Sequence, residues 1–352
     1  MLLLPQAAFA GVNTVPATTA GVTGTVFAMT QVGDRTIIGG NFTAVGGVPR
    51  RNAAAILANG TVDPTFNPSP DGIVYAVAAS GDGTRVFLGG VFASAGGAAR
   101  ANLAAVDATT GSAHTWQANT NGDVLALARS GSRVYAGGRF TSIGGAARRR
   151  LAAIDTGTGA VNLGFNPWPD WTVRAVTVSP DGTKVYAAGG FGVIGGQSRP
   201  SVGEVLASTG QATAFNPTQG GGVAIAIALT PNGSRMFFST ENNRLFAYDP
   251  AVSNNPAYVI QSSGDTQAIV ASATEVYFGG HFSQLQTYRV KRAHLASIRV
   301  TDGTPTAWNP VVNGVMGVWA IVATPSAVMI GGDFTKIGNA NRPGFAKFTG
   351  TP

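Results

Sequence analysis

Two markers recur along this chain in a single phase, and a chain that repeats itself in phase folds as packed copies of one small unit. The first is a glycine pair followed one residue later by phenylalanine: "GGNF" at 39–42, "GGVF" at 89–92, "GGRF" at 137–140, "GGHF" at 279–282 and "GGDF" at 331–334, with "AGGF" at 188–191 as a variant. Its phenylalanines are Phe42, Phe92, Phe140, Phe191, Phe282 and Phe334, and Glu241 stands in that place in a degenerate fifth copy. The second marker is an aromatic residue, usually opening Phe-Asn-Pro, at Phe66, Trp116, Phe165, Phe215, Tyr258 and Trp308. From each aromatic to the next phenylalanine, or to Glu241, the step is 24 or 26 residues, so seven copies of roughly 50 residues share one period.

Within a copy, four short β-type runs follow one another, as in "VYAVAAS", "RVFLGGVF", "NLAAVDA" and "SAHTWQA". Between the first and second runs stand "GDGT" at 81–84, "PDGT" at 180–183 and "PNGS" at 231–234, where Asp-Gly and Asn-Gly supply the positive φ of tight hairpins. Composition agrees. With 49 glycines among 352 residues and only 11% charged residues, the chain lacks the long charged helical faces of an α protein. The expectation is an all-β, seven-bladed β-propeller of four-stranded antiparallel blades. The blades fall at about 21–68, 72–118, 121–168, 171–218, 221–260, 264–310 and 314–350, within one domain spanning 11–352. The seventh copy stops after its third run, so residues 12–19 are expected to add its outer strand and close the ring.

The compound pattern "GGxFTxxGGxxRxxLAAxD…FNP" resembles the secreted bacterial β-propellers of delta-60-type repeats, a family of unknown function. The resemblance spans roughly residues 21–350 and implies the fold and export, often in cell-surface or multidomain proteins. It carries no catalytic residues onto this chain. Kelch repeats share a glycine pair and a similar period but lack the second pair and the Phe-Asn-Pro.

The arginines repeat as well. Arg50, Arg100, Arg148, Arg199 and Arg342 each lie eight residues after the marker phenylalanine, and Arg292 lies ten after it, with Asn242 in the fifth copy. A guanidinium at one fixed blade position is expected to donate its fork of N–H groups to loop carbonyls, as an element of architecture. The net charge of +7 is thus dealt out around the repeat rather than gathered in a stripe with stacking aromatics, which argues against nucleic acid. The glycine pairs are not phosphate loops, because neither a G-x-G-x-x-G nor a G-x-x-x-x-G-K-S/T stands between a strand and a helix. They are expected to permit close approach or bulges.

Where repetition marks architecture, departures from it mark candidate sites. The variable residue of G-G-x-F reads Asn41, Val91, Arg139, Gly190, Thr240, His281 and Asp333 in turn. Asn41, His281 and Asp333 come from neighbouring blades and are a candidate group for a sugar hydroxyl or a hydrated cation. "NPWPDWTVR" sets Trp168 and Trp171 around Asp170, and "HFSQLQTYRVKR" adds Tyr288; aromatic faces beside polar groups suit a sugar ring or a protein partner. No cofactor is indicated; a calcium ion in the central channel is left open, without a dedicated loop.

With three histidines, no cysteine and 16 acids mostly in turns, a nucleophile–base set is hard to assemble. The expected function is a non-catalytic binding or scaffold module, secreted or at the cell surface, that uses one propeller face for a glycan or an extracellular protein. The alternative is a carbohydrate-active enzyme whose acid pair assembles across blades. No apolar run reaches the length of a membrane span. The start, "MLLLPQAAFA", reads as the end of a signal peptide with a small-x-small site.

Overall fold

A computed structural model describes residues 11–218 and 221–352; the signal-like residues 1–10 lie outside them. Among the described residues the chain is all-β, apart from one 3-10 turn at Gln286–Tyr288. No helix among them is long and apolar enough to cross a membrane.

Each copy forms one antiparallel sheet from an inner, a middle and a third strand. The inner strands are Val22–Val32, Ile73–Ala79, Val124–Ser130, Val173–Val178, Ala224–Leu229, Thr266–Ala271 and Val318–Thr324. Each packs against the inner strand of the next sheet, and the last returns to the first.

The glycine pairs account for how closely the sheets meet. A Cβ on Gly39 would sit 2.5 Å from Val74 of the next inner strand, one on Gly89 2.5 Å from Val124, and one on Gly331 2.5 Å from Val26. The first glycine of the pair is therefore the socket for a valine of the neighbouring sheet. In the fourth copy Ala188 replaces that glycine and shares a core cluster with the smaller Ala224; in the fifth, Ser239 replaces it and donates a 2.8 Å hydrogen bond to the Thr266 carbonyl. The second pair works through φ instead. Gly46 and Gly47 have φ of 58° and 78°, the left-handed pair that a two-residue hairpin turn requires.

The outer run departs from the expected fourth strand. Among the described residues only the fifth sheet continues into a regular one, Tyr258–Gln261. In five others the outer run meets the third strand at a single bridge, such as Val106 with Ala113 or Ile154 with Val161. The repeated arginine explains the difference. Arg148 donates to the carbonyls of Ala147 and Leu163 at 2.7 and 2.8 Å, so the guanidinium takes the place of ladder hydrogen bonds. The fifth sheet, with Asn242 in place of the arginine, is the one that keeps the ladder.

The N-terminal segment lies along the third strand of the last sheet, Phe345–Thr349. The Asn13 N–H donates to the Thr349 carbonyl and that of Ala17 to the Lys347 carbonyl, at 2.9 and 2.8 Å. Trp308 donates its indole N–H to the Asn13 carbonyl at 2.9 Å.

Candidate functional site

A register shift interrupts every inner strand just after the residue paired with the second glycine position, between Val26 and Ala28, Val74 and Ala76, and so on, with two residues skipped in the fifth sheet, between Ala224 and Ile227. The skipped residue turns away from the ladder towards the channel that the inner strands surround. Phe27, Tyr75, Leu125, Arg174, Ile225, Gln267 and Trp319 thereby line one cavity of about 500 Å³, a single residue from each sheet. Phe27 stands 5.3 Å from Trp319 edge-on and 5.5 Å from Tyr75. The channel continues past small alanines such as Ala28 and Ala76. The sequence reading missed this ring. Its signal was the motif Val-x-Ala-apolar, kept in five copies and varied to Ala224 and Thr266 at its first position in the other two, around a residue that changes in every copy.

The variable residues of G-G-x-F sit at the ends of the middle strands, beside the starts of the inner ones. The register corrects one of them. Ala224 pairs with Thr240 as Val74 pairs with Gly90, so Thr240 is buried in the place of the second glycine and Glu241 holds the variable position. Phe215 stands nine residues before Ala224, whereas Phe165 stands eight before Val173, and that extra residue shifted the frame by one.

His281 is tied to Asp265 of its own sheet. Asp333 accepts the backbone N–H groups of Met316 and Gly317 at 3.2 and 2.7 Å, and Asn41 is exposed. No hydrogen bond or ion pair among the described residues joins any two of the three. Tyr288 packs into the core between the fifth and sixth sheets, with Leu285 and Phe282. His114 accepts the Trp116 N–H on Nδ1 at 3.1 Å, and burial, with the nearby Arg85 charge, lowers its pKa. His294 has φ of 62° and its Nδ1 lies 3.0 Å from the Gly280 carbonyl. Among the described residues no group of three or more His, Asp or Glu is placed to hold a metal.

The six repeated arginines all bind backbone. Arg50 reaches the carbonyls of Pro49, Asp63 and Pro64; Arg100 those of Ala99 and His114; Arg199 those of Ser198, Thr213 and Phe215; Arg292 those of Lys291 and Thr306. Arg342 donates to the Asn341 and Ala17 carbonyls and to Thr18 Oγ1. Burial lowers the pKa of Arg292. Asp170, between the two tryptophans, is structural too: it accepts the N–H groups of Gly192 and Val193, as Asp71 accepts those of Ala93 and Ser94.

Trp168 and Trp171 are different. They are 41% and 61% exposed, with the guanidinium of Arg149 4.9 Å over the first and that of Arg150 5.6 Å over the second. Trp171 borders a cavity of about 410 Å³ that Arg139, Arg150, Arg174 and Gly190 also line. Each of these residues breaks the repeat. Trp171 stands where other sheets have Gly24, Gly72, Gly122, Gly222 and Gly264. That position faces the variable residue: a Cβ on Gly264 would come within 2.9 Å of His281, and one on Gly190 within 3.0 Å of Trp171. In the fourth sheet the glycine stands at the variable position instead, which leaves room for the indole.

Arg150 stands where the first two sheets have Asn52 and Asn102, in the left-handed conformation with φ of 61°. Asparagine tolerates that conformation, whereas a long side chain there costs roughly 1 kcal/mol or more. Arg150 keeps the bond of the asparagine amide to the following loop, donating to the Pro169 carbonyl at 3.1 Å as Asn52 donates to Pro70. Arg139 pairs with Asp123 at 2.9 Å and Arg174 with Glu241 of the next sheet at 2.7 Å.

Residues 34–66, most of the first copy, match the family described as "Domain of unknown function (DUF5122) beta-propeller". A search of the curated proteins found no match to the chain. Among solved structures, the chain is similar to the one described as "Crystal structure of WD40 beta propeller domain of Doa1", with a TM-score of 0.64 at 10% identity over 98% of each chain. The inner strands meeting around a channel, the likeness in fold and the match of one repeat converge: the chain is a β-propeller, and its first repeat carries the pattern of a propeller family of unknown function.

Proposed function

We propose that this protein is a seven-bladed propeller, closed by residues 12–19 along its last blade, and a secreted or cell-surface binding module. The face bearing the starts of the inner strands takes a glycan. One observation carries this reading: the residues that break the repeat converge on that face, in the Trp171 cavity of about 410 Å³, while the repeated residues bind the protein's own backbone. Exposed indoles beside charged hydrogen-bonding groups match a sugar, which has an apolar face and hydroxyls round its edge. The seven residues around the channel mouth extend the same face with aromatic surface. An extracellular protein remains the other partner class that such a face serves.

The test is a glycan array probed with the purified protein and with the Trp168→Ala, Trp171→Ala double variant. Binding to a defined set of glycans, lost in a variant that keeps its melting temperature, is the expected result. An array without signal, or a signal that the double variant retains, sinks the glycan reading.

A further inference from the structure

The Trp171 cavity has a composition that selects among glycans. Its lining charges are three arginines, and two of them are already in neutral pairs, Arg139 with Asp123 and Arg174 with Glu241. Arg150 makes no ion pair with any described residue; its guanidinium donates to the Pro169 carbonyl and lies over the indole of Trp171.

Each kind of group asks for a different part of a ligand. An arginine–carboxylate pair presents donors and acceptors side by side, which is what a hydroxyl needs, since it both donates and accepts. A guanidinium without an acid partner, fixed in orientation by an aromatic face, presents a fork that matches a carboxylate. The exposed indole covers the apolar face of a ring. Hydroxyl pairs, one uncompensated cation and an aromatic plate together describe a sugar bearing a carboxylate.

We infer that this cavity binds a carboxylated sugar residue of an acidic glycan, with the carboxylate on Arg150, the ring on Trp171 and hydroxyls on the Arg139–Asp123 and Arg174–Glu241 pairs. The inference rests on the reading of this face as glycan-binding and names its ligand class. The residues concerned are those the fold does not ask for. Asparagine fits the left-handed position better than Arg150, and five other sheets manage with glycine where Trp171 stands.

The repeat also supplies variants that keep the fold. Arg150→Asn and Trp171→Gly restore the residues of the sister sheets, and Trp171→Gly leaves the net charge unchanged, so it separates binding in the cavity from general attraction of an anion to a basic protein. Calorimetric titration with oligogalacturonate, with its methyl ester, which has the same rings without the charges, and with a neutral glucan oligomer tests the inference. The expected result is binding of oligogalacturonate, weaker by about tenfold or more for the methyl ester and for either variant, with melting temperatures unchanged or raised.

Equal binding of acid and ester that both variants weaken overturns the carboxylate assignment and leaves the glycan face standing. Oligogalacturonate binding that Trp171→Gly leaves intact overturns the cavity as its site. Absence of binding by all three probes overturns the inference, and the array then decides the glycan reading by itself.

Discussion

Arg148 shows how a residue that looks functional in sequence becomes structural once placed. It opens "RRR" at 148–150, a run that reads as a basic docking patch, yet it is buried and its two donors hold the carbonyls of Ala147 and Leu163. Its neighbours in the run stack on exposed tryptophans. Position within the repeat separates the three. Arg148→Ala is expected to destabilise the protein by roughly 3 kcal/mol, because hydrogen bonds to a charged donor are worth about 1.5–3 kcal/mol each and two carbonyls lose their partner. Arg148→Lys recovers little of this, since an ammonium cannot span both acceptors. Denaturant unfolding of the two variants checks it; a lysine variant as stable as the parent would show that charge, not the fork, is what the site requires.

At the scale of elements, the hairpin between inner and middle strands recurs with one mechanism and two chemistries. Asp82 accepts from Ser80 Oγ and from the Thr84 N–H and hydroxyl, and these bonds lower its pKa to about 2; the corresponding bonds from Ser179 and Thr183 do the same for Asp181. Asn232 makes the matching contacts in the fifth sheet without a titrating group. A carboxylate whose pKa falls on folding contributes stability that is complete above its unfolded value near 3.8 and is lost as pH falls through the folded value near 2. The double variant Asp82→Asn, Asp181→Asn should therefore show a shallower loss of melting temperature between about pH 4 and 2. Parallel curves for the variant and the parent would refute the mechanism. The bulges belong to this scale as well. The alternation of each inner strand was legible, but the bulge that turns Phe27 or Trp319 into the channel was not, because the extra residue of a bulge is defined only against the partner strand it fails to pair with.

For the whole molecule, the proposed closure by residues 12–19 is the contact to test. Residues 12–19 satisfy the third strand of the last sheet, accept the Arg342 guanidinium through the Ala17 carbonyl and Thr18 Oγ1, and accept the Trp308 indole through Asn13. A chain beginning at Gly21 leaves that strand as a bare edge and strands two donors. Its melting temperature should fall by several degrees or more and it should associate through the exposed edge, as thermal unfolding and light scattering would show. An unchanged melting temperature would mean that the ring holds without this segment.

The sequence by itself determined the β class, the period, the glycine pairs and the architectural role of the arginines, because each is a local requirement stated once in every copy. The residues misplaced by one, Thr240 and Glu241, fell where the copy is degenerate and the phase was lost. Which departures from the repeat act together was left to the tertiary structure. Arg139, Arg150, Trp171, Arg174 and Gly190 come from two sheets and from four different kinds of position in the repeat: the variable one, the left-handed turn, the start of the inner strand and the bulge. Nothing in their spacing relates them. They meet because adjacent sheets twist past one another around the channel, and that relation exists only once the ring is assembled.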